Sequence, residues 1–161
     1  MAEQVARATV AQGGAIVTGL ATGADVAAHR AVSGSARTLV AVLGTGLRHV
    51  YPKAHSGLAQ ELIRTGGSVL SELPPGVRGN AHSFILRNRI VAALADLVVA
   101  VSGRYASGTA HTIRFAESAG TPVVSADPAS DSGITRLVLE LGGVAESLAS
   151  IEDRLSKLQA P

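Results

Sequence analysis

Residues 83–101 read SFILRNRIVAALADLVVAV and set two different patterns side by side. Residues 83–94 have the length of a helix, which Ser83 could cap. From Asp96, the run DLVVAV is short, apolar and non-alternating, as expected of a strand buried on both faces. Moving outward in both directions, the same two patterns recur. AIV from Ala15, TLVAVL from Thr38, SVL from Ser68 and PVVSA from Pro122 read as strands, and residues 25–33, 55–65 and 109–119 read as helices bounded by Gly, Asp, Ser or Thr. Strands that alternate with helices predict a doubly wound α/β fold, a mostly parallel sheet with helices on both faces. Residues 1–12 read as a helix entering the first visible strand, so the usual first strand of an open α/β domain is expected to be lacking, to belong to a longer parent chain, or to be replaced by a partner. The tail from Ile134 to Leu158 keeps helical spacing through Leu137, Leu141 and Leu148 and reads as a packing or self-association helix, preceded by a loop over 127–133. The expected organisation is one α/β domain over 1–145 and a helical tail over 146–161.

The 161 residues suit one ordinary domain. They are 47% hydrophobic and 16% charged, with eighteen glycines, a globular rather than a disordered or fibrous composition. There is no cysteine, which excludes disulfides, thiolate metal sites and a cysteine nucleophile. The longest apolar stretch, Ile90 to Val101, is interrupted by Asp96, and a membrane-spanning helix needs about 20 apolar residues. A soluble, cytoplasmic protein without membrane attachment is the expectation. Charge is unevenly placed: residues 37–114 hold nine basic and three acidic side chains, and residues 115–161 three basic and seven acidic. Such a chain can turn a basic face toward an anion.

Three strand ends run directly into small residues: Gly19-Leu20-Ala21-Thr22-Gly23, Gly44-Thr45-Gly46 and, just past the fourth strand, Ser107-Gly108-Thr109. Loops at the carboxyl ends of parallel strands line the crevice where ligands bind, and small residues let backbone N–H groups and helix N-termini approach a phosphate. An anionic ligand is therefore expected. Neither a G-x-G-x-x-G turn nor a G-x-x-x-x-G-K-[ST] loop is present, which disfavours ordinary dinucleotide and P-loop nucleotide binding, and no cofactor is expected. Arg87, Asn88 and Arg89 come early in a helix, where positive charge opposes the helix dipole. One arginine is expected to pair with Glu72 or Asp96 inside the domain and the other to hold a phosphate or carboxylate.

Asp25 and His29, four residues apart at a helix start, read as a structural hydrogen-bonded pair. The other histidines, His49, His55, His82 and His111, show no ligand spacing, so no metal is expected. Glu72 reads as a partner for an arginine, and Tyr51-Pro52 as a loop-fixing pair. Tyr105 is the better stacking candidate because it adjoins the Ser-Gly-Thr turn. No nucleophile and base stand together in any motif, and a non-enzymatic role is expected.

In order and spacing, VTGLATGADVAAHRA from Val17, AVLGTGLRHVYP from Ala41, LSELPPG from Leu70, FILRNRIVAALADLVVAV from Phe84 and ASGTAHTIRFAESAGTPV from Ala106 resemble the DNA-processing protein A (DprA, or Smf) family. The resemblance implies an extended Rossmann-like domain that binds single-stranded DNA in a basic pocket, forms a homodimer and presents DNA to a RecA-type recombinase during natural transformation, without catalysis. It carries the family's DNA-binding positions onto Gly19, Leu20 and Ala21, onto Arg87, Asn88 and Arg89, and onto Ser107, Gly108 and Thr109 with Thr112. With Thr45 and Gly46 these make up the candidate DNA- and phosphate-binding set, and Arg87→Ala or Arg89→Ala is expected to weaken binding. The family's first strand, with its Gly-x-Arg segment, is expected ahead of residue 1. The chain departs from the pattern at Thr18 for Ser, at Ser102-Gly103 for Glu-Ala and at Asp127-Pro128 for the closing Pro-Gly. Two alternatives use the same crevice: a sensor that binds a small nucleotide without turnover, and a phosphoribohydrolase of the related lysine-decarboxylase-like family. The enzyme needs a carboxylate where this chain has Thr112, which counts against it.

Overall fold

The computed structural model describes residues 1–126 and 132–158. The expected loop at 127–133 lies largely outside these residues. Strands and helices alternate as α1 (Ala2–Ala11), β1 (Ile16–Thr18), α2 (Ala24–Ala31), β2 (Leu39–Val42), α3 (Ser56–Arg64), β3 (Ser68–Leu70), α4 (Ala81–Ala93), β4 (Val98–Ala100), α5 (Gly108–Ala119), β5 (Val123–Ser125), α6 (Gly133–Glu140), β6 (Val144–Ala145) and α7 (Leu148–Leu158). All strand pairings are parallel, in two three-stranded sheets ordered β1-β2-β3 and β4-β5-β6. The expected α/β fold with parallel pairing is what forms. None of the described helices is long and apolar enough to cross a membrane.

Contacts group the chain into two compact units, Ala2–Arg87 and a second that begins at Asn88 and takes in Met1, so the division falls inside α4. In the first unit, β2 is the central strand and is the most enclosed, with Leu39, Ala41 and Val42 at or below 2% exposure. Around it Ala6, Leu20, Ala28, Val32, Leu43, Ala59 and Leu62 form one apolar cluster. Helix α3 contributes Ala59 and Leu62, three apart on one face, and leaves Glu61 and Arg64 to water. It stops where Gly66 takes a positive φ, and the N–H of Gly67 reaches back to the Leu62 carbonyl at 2.9 Å. In the second unit the cluster is Ala100, Ala110, Ile113, Ile134, Leu137 and Val138, with α6 offering the i, i+3, i+4 set.

Two expectations are corrected. The span from Ile134 to Leu158 is not one helix: Gly142, at φ 79°, ends α6, and Val144–Ala145 add a parallel strand beside β5 before α7 begins. The leucine spacing ran through this break because a two-residue strand has no period of its own to show. Helix α4 is capped a turn earlier than expected. Asn80 Oδ1 accepts from the Ser83 N–H and Ser83 Oγ accepts from the Asn80 N–H, both at 2.9 Å, a reciprocal capping box.

Candidate functional site

In the first unit, the residues after β1 form a turn built around one carboxylate. Leu20 is wholly buried and sits at φ 57°, a conformation that costs a branched residue free energy and so requires outside support. Support comes from four side chains. A single oxygen of Asp25 accepts from the N–H groups of Gly19 and Ala21, each at 3.0 Å. The Leu20 N–H donates to Thr18 Oγ1 at 3.2 Å, and the Leu20 carbonyl accepts from His55 Nδ1 at 2.8 Å. Thr18 Oγ1 also meets His29 Nε2 at 2.6 Å. Asp25 and His29 are thus structural, as expected, but each serves the turn rather than the other.

Arg87 reaches the same turn from α4. It is 7% exposed, and its Nη1 donates to the carbonyl of Gly19 at 2.7 Å and to that of Val42. Glycine at 19 leaves room for this approach, since a Cβ would stand 2.2 Å from Arg87 Nη2. Burial lowers the pKa of the guanidinium, and Asp25 acts in the opposite sense. Arg89, two residues on, is exposed. Arg87 is thus engaged within the chain, on two backbone carbonyls.

Thr45 and Gly46 are held by the segment 71–77. The Thr45 hydroxyl donates to the His49 carbonyl, Ser71 Oγ donates to the Thr45 carbonyl at 2.7 Å, and the Gly46 N–H donates to Val77 at 2.8 Å. A Cβ at Gly46 would lie 2.0 Å from the Pro74 oxygen, so this glycine permits close backbone approach. The N–H groups of Gly19, Ala21 and Gly46, expected to face an anion, therefore all have partners within the chain. The same unit carries an aromatic pair that the sequence reading did not assemble: Tyr51, 61% exposed, lies with its ring centroid 5.0 Å from that of Phe84. The F-x-x-RNR motif was visible, but nothing in the spacing linked Phe84 to a tyrosine 33 residues earlier.

In the second unit, Asn88, Ser107, Gly108, Thr109 and Thr112 come together. Asn88 is 8% exposed and its Nδ2 donates to the Gly108 carbonyl at 3.1 Å, fastening α4 to the start of α5. Thr112 Oγ1 lies 3.5 Å from the same carbonyl. Ser107 is the N-cap of α5 with extended backbone, yet its side chain caps no N–H. Its Oγ is buried without a protein partner. The first turn of α5 has no acidic residue, and Gly108 leaves open space where a side chain would stand. Apart from the Ala110 N–H, which donates to the Ser107 carbonyl at 3.1 Å, the first N–H groups of this twelve-residue helix and the positive end of its dipole suit an anion. Exposed Arg104 and Arg114 belong to the same unit. Among the described residues there is no cluster of His, Asp or Glu that could hold a metal ion.

His29 gives the first unit a measurable pH response. It is fully buried, and burial lowers its pKa, more than Asp25 raises it. In the unfolded chain a histidine titrates at about 6.5, so below that pH the unfolded state binds the extra proton and stability falls with it. The contribution of neutral His29 is fully present above about pH 6.5 and is lost as pH drops toward the folded value. Thermal melts between pH 7.5 and pH 5 are expected to show a declining Tm. The decline should be smaller in His29→Gln, and equal slopes for the two proteins would refute this assignment.

Parallel strands that alternate with helices and run into glycine-rich turns define a protein of the α/β class. The model of the DNA recombination-mediator protein A family matches residues 1–159, and the chain belongs to that family. DNA processing protein DprA of Streptococcus pneumoniae is 41% identical over 108 residues, covering 67% of this chain and 38% of that protein. Protein Smf of Escherichia coli K12 is 38% identical over 112 residues, 70% of this chain and 30% of its own length. The chain thus spans about a third of these curated relatives. An X-ray structure of the S. pneumoniae protein superposes with a TM-score of 0.77 at 32% identity, covering 93% of this chain and 54% of that one. DNA processing protein A from Helicobacter pylori, solved for its single-stranded DNA binding mode, gives a TM-score of 0.82 at 26% identity, with 98% and 71% covered.

Proposed function

We propose that this chain is a single-stranded DNA binding module that presents its strand to a RecA-type recombinase in DNA uptake and recombination, working as a cytoplasmic homodimer and without catalysis. The observation that carries the reading is the start of α5. There Ser107, Gly108 and Thr109 offer backbone donors and a buried, unused hydroxyl, with no acidic side chain in the first turn. That chemistry suits a phosphate. The H. pylori relative binds single-stranded DNA, which supports the choice of a polynucleotide over a free anion. Of the expected binding set, Asn88, Ser107, Gly108, Thr109, Thr112 and exposed Arg89 stay as proposed contacts. Gly19, Leu20, Ala21, Thr45, Gly46 and Arg87 support the fold around them.

The test is fluorescence anisotropy with a labelled thymidine oligomer. Log affinity should fall with log salt at about 0.7 per neutralised phosphate, and thymidine mononucleotide should compete poorly. Thr109→Asp separates binding from stability. A carboxylate in the first turn of a helix stabilises it by about 0.3–1 kcal/mol, while the same charge repels a phosphate. We expect affinity to drop at least ten-fold with Tm unchanged or raised. Equal binding by wild type and Thr109→Asp would move the contact elsewhere, and a mononucleotide that binds as tightly as the oligomer would replace the reading with that of a nucleotide sensor.

A further inference from the structure

The chain has two tyrosines and two phenylalanines, so a large exposed aromatic ring is scarce on its surface. Tyr105, two residues before the N-cap of α5, is such a ring, 43% exposed. It is also fixed. Its hydroxyl donates to Glu140 Oε2 on α6 at 2.6 Å, and the Arg114 guanidinium carbon of α5 lies 5.6 Å from the ring centroid, within cation–π range. The backbone beneath it is held by two glycines. A Cβ at Gly133 would stand 2.6 Å from the Tyr105 nitrogen, and one at Gly103 would stand 2.7 Å from Ile134 Cγ1, so this segment lies close against the start of α6. A tyrosine has few rotatable bonds to freeze, and this one is tethered at its tip and along its face before any ligand arrives. Exposed rings and guanidinium planes are the groups on which unpaired nucleobases stack, and each such contact is sequence-tolerant because every base has a π-face.

We infer that Tyr105, with Arg114 on its face, is a stacking platform for one nucleobase of a strand whose phosphate lies at the start of α5. The inference rests on the single-stranded DNA reading and adds a base contact to a site otherwise built for phosphate. It assigns to Tyr105 and Arg114 the part of the affinity that depends on bases, and to Ser107, Gly108 and Thr109 the part that depends on the backbone.

The experiment compares a thymidine oligomer with an abasic oligomer of equal length, using the full chain and anisotropy at fixed salt. Wild type should bind the thymidine strand about ten-fold more tightly than the abasic one. In Tyr105→Leu that ratio should fall toward one, whereas Tyr105→Phe, which keeps the ring and loses only the Glu140 hydrogen bond, should restore it. Melts of each variant establish that the fold is intact, and Arg114→Gln, expected to lower the ratio by a smaller factor, gives a second reading from a different element. If wild type binds both strands and Tyr105→Leu leaves the ratio unchanged, the platform is refuted and the DNA reading stands. If wild type binds neither, the DNA reading falls and the platform with it.

Discussion

Arg87→Ala is expected to unfold the first unit more readily rather than merely to weaken a ligand contact. The guanidinium is 7% exposed and its Nη1 bonds the carbonyl that follows β1, at Gly19, and the one that ends β2, at Val42. Removing it empties a buried volume and takes the donor from two buried acceptors at once. A hydrogen bond from a charged donor contributes about 1.5–3 kcal/mol, and a loss of about 3–5 kcal/mol follows for the pair. A domain of this size is stable by about 5–15 kcal/mol, so the variant sits near the threshold of folding. Its Tm should fall by about 10 °C, at about 2–4 °C per kcal/mol. Arg87→Lys, with a donor nitrogen but no planar fork, should recover part of the loss. A melt that leaves Tm within 2 °C of wild type would show that the internal bonds do not matter. DNA binding by Arg87→Ala has to be read well below its own Tm, since loss of the fold and loss of a contact look alike at fixed temperature.

Asp25→Ala is the second large effect, and Asp25→Asn identifies its cause. One carboxylate oxygen takes the N–H groups of both Gly19 and Ala21, around a leucine held at positive φ. Alanine leaves both donors without an acceptor and removes the negative charge that favours charged Arg87, at a cost of about 3 kcal/mol. Asparagine can place its carbonyl oxygen where the carboxylate oxygen was, losing the charge but not the bonds, and should cost about 1 kcal/mol. Urea denaturation of both variants gives the comparison, and equal losses would mean that charge rather than hydrogen bonding supports the turn. Combining Asp25→Ala with Arg87→Ala should cost less than the sum, because one holds the N–H and the other the carbonyl of Gly19.

Much of the fold was legible because buried parallel strands and amphipathic helices have different periods. Of the six strands among the described residues, five lie where apolar runs meet turn residues, and the sixth was missed because two residues carry no periodicity. The small-residue loops were equally visible, and their position after strands was enough to expect a ligand edge. What could not be read was the destination of each backbone donor. Glycine at 19, 44 and 46 has the same appearance in sequence whether it admits a phosphate or a neighbouring chain segment. At Gly44 and Gly46 the neighbour is protein: a Cβ would meet Phe84 at 2.5 Å in one case and the Pro74 oxygen at 2.0 Å in the other. Likewise, Arg87 and Arg89 differ only in which side of α4 they occupy, and that is decided by what packs on the helix.

By itself, the sequence determined the fold class, the family and the small set of loops in which a site could lie, because each of these depends on local pattern and order along the chain. Tertiary structure alone decided that the turn after β1 is filled by Asp25 and tied by Arg87. It alone left the start of α5 with an unused hydroxyl and open space beside it. The physical reason is that a hydrogen-bond donor serves either the fold or a ligand according to which acceptor comes within about 3 Å of it, and those acceptors arrive from residues as far as 68 positions away.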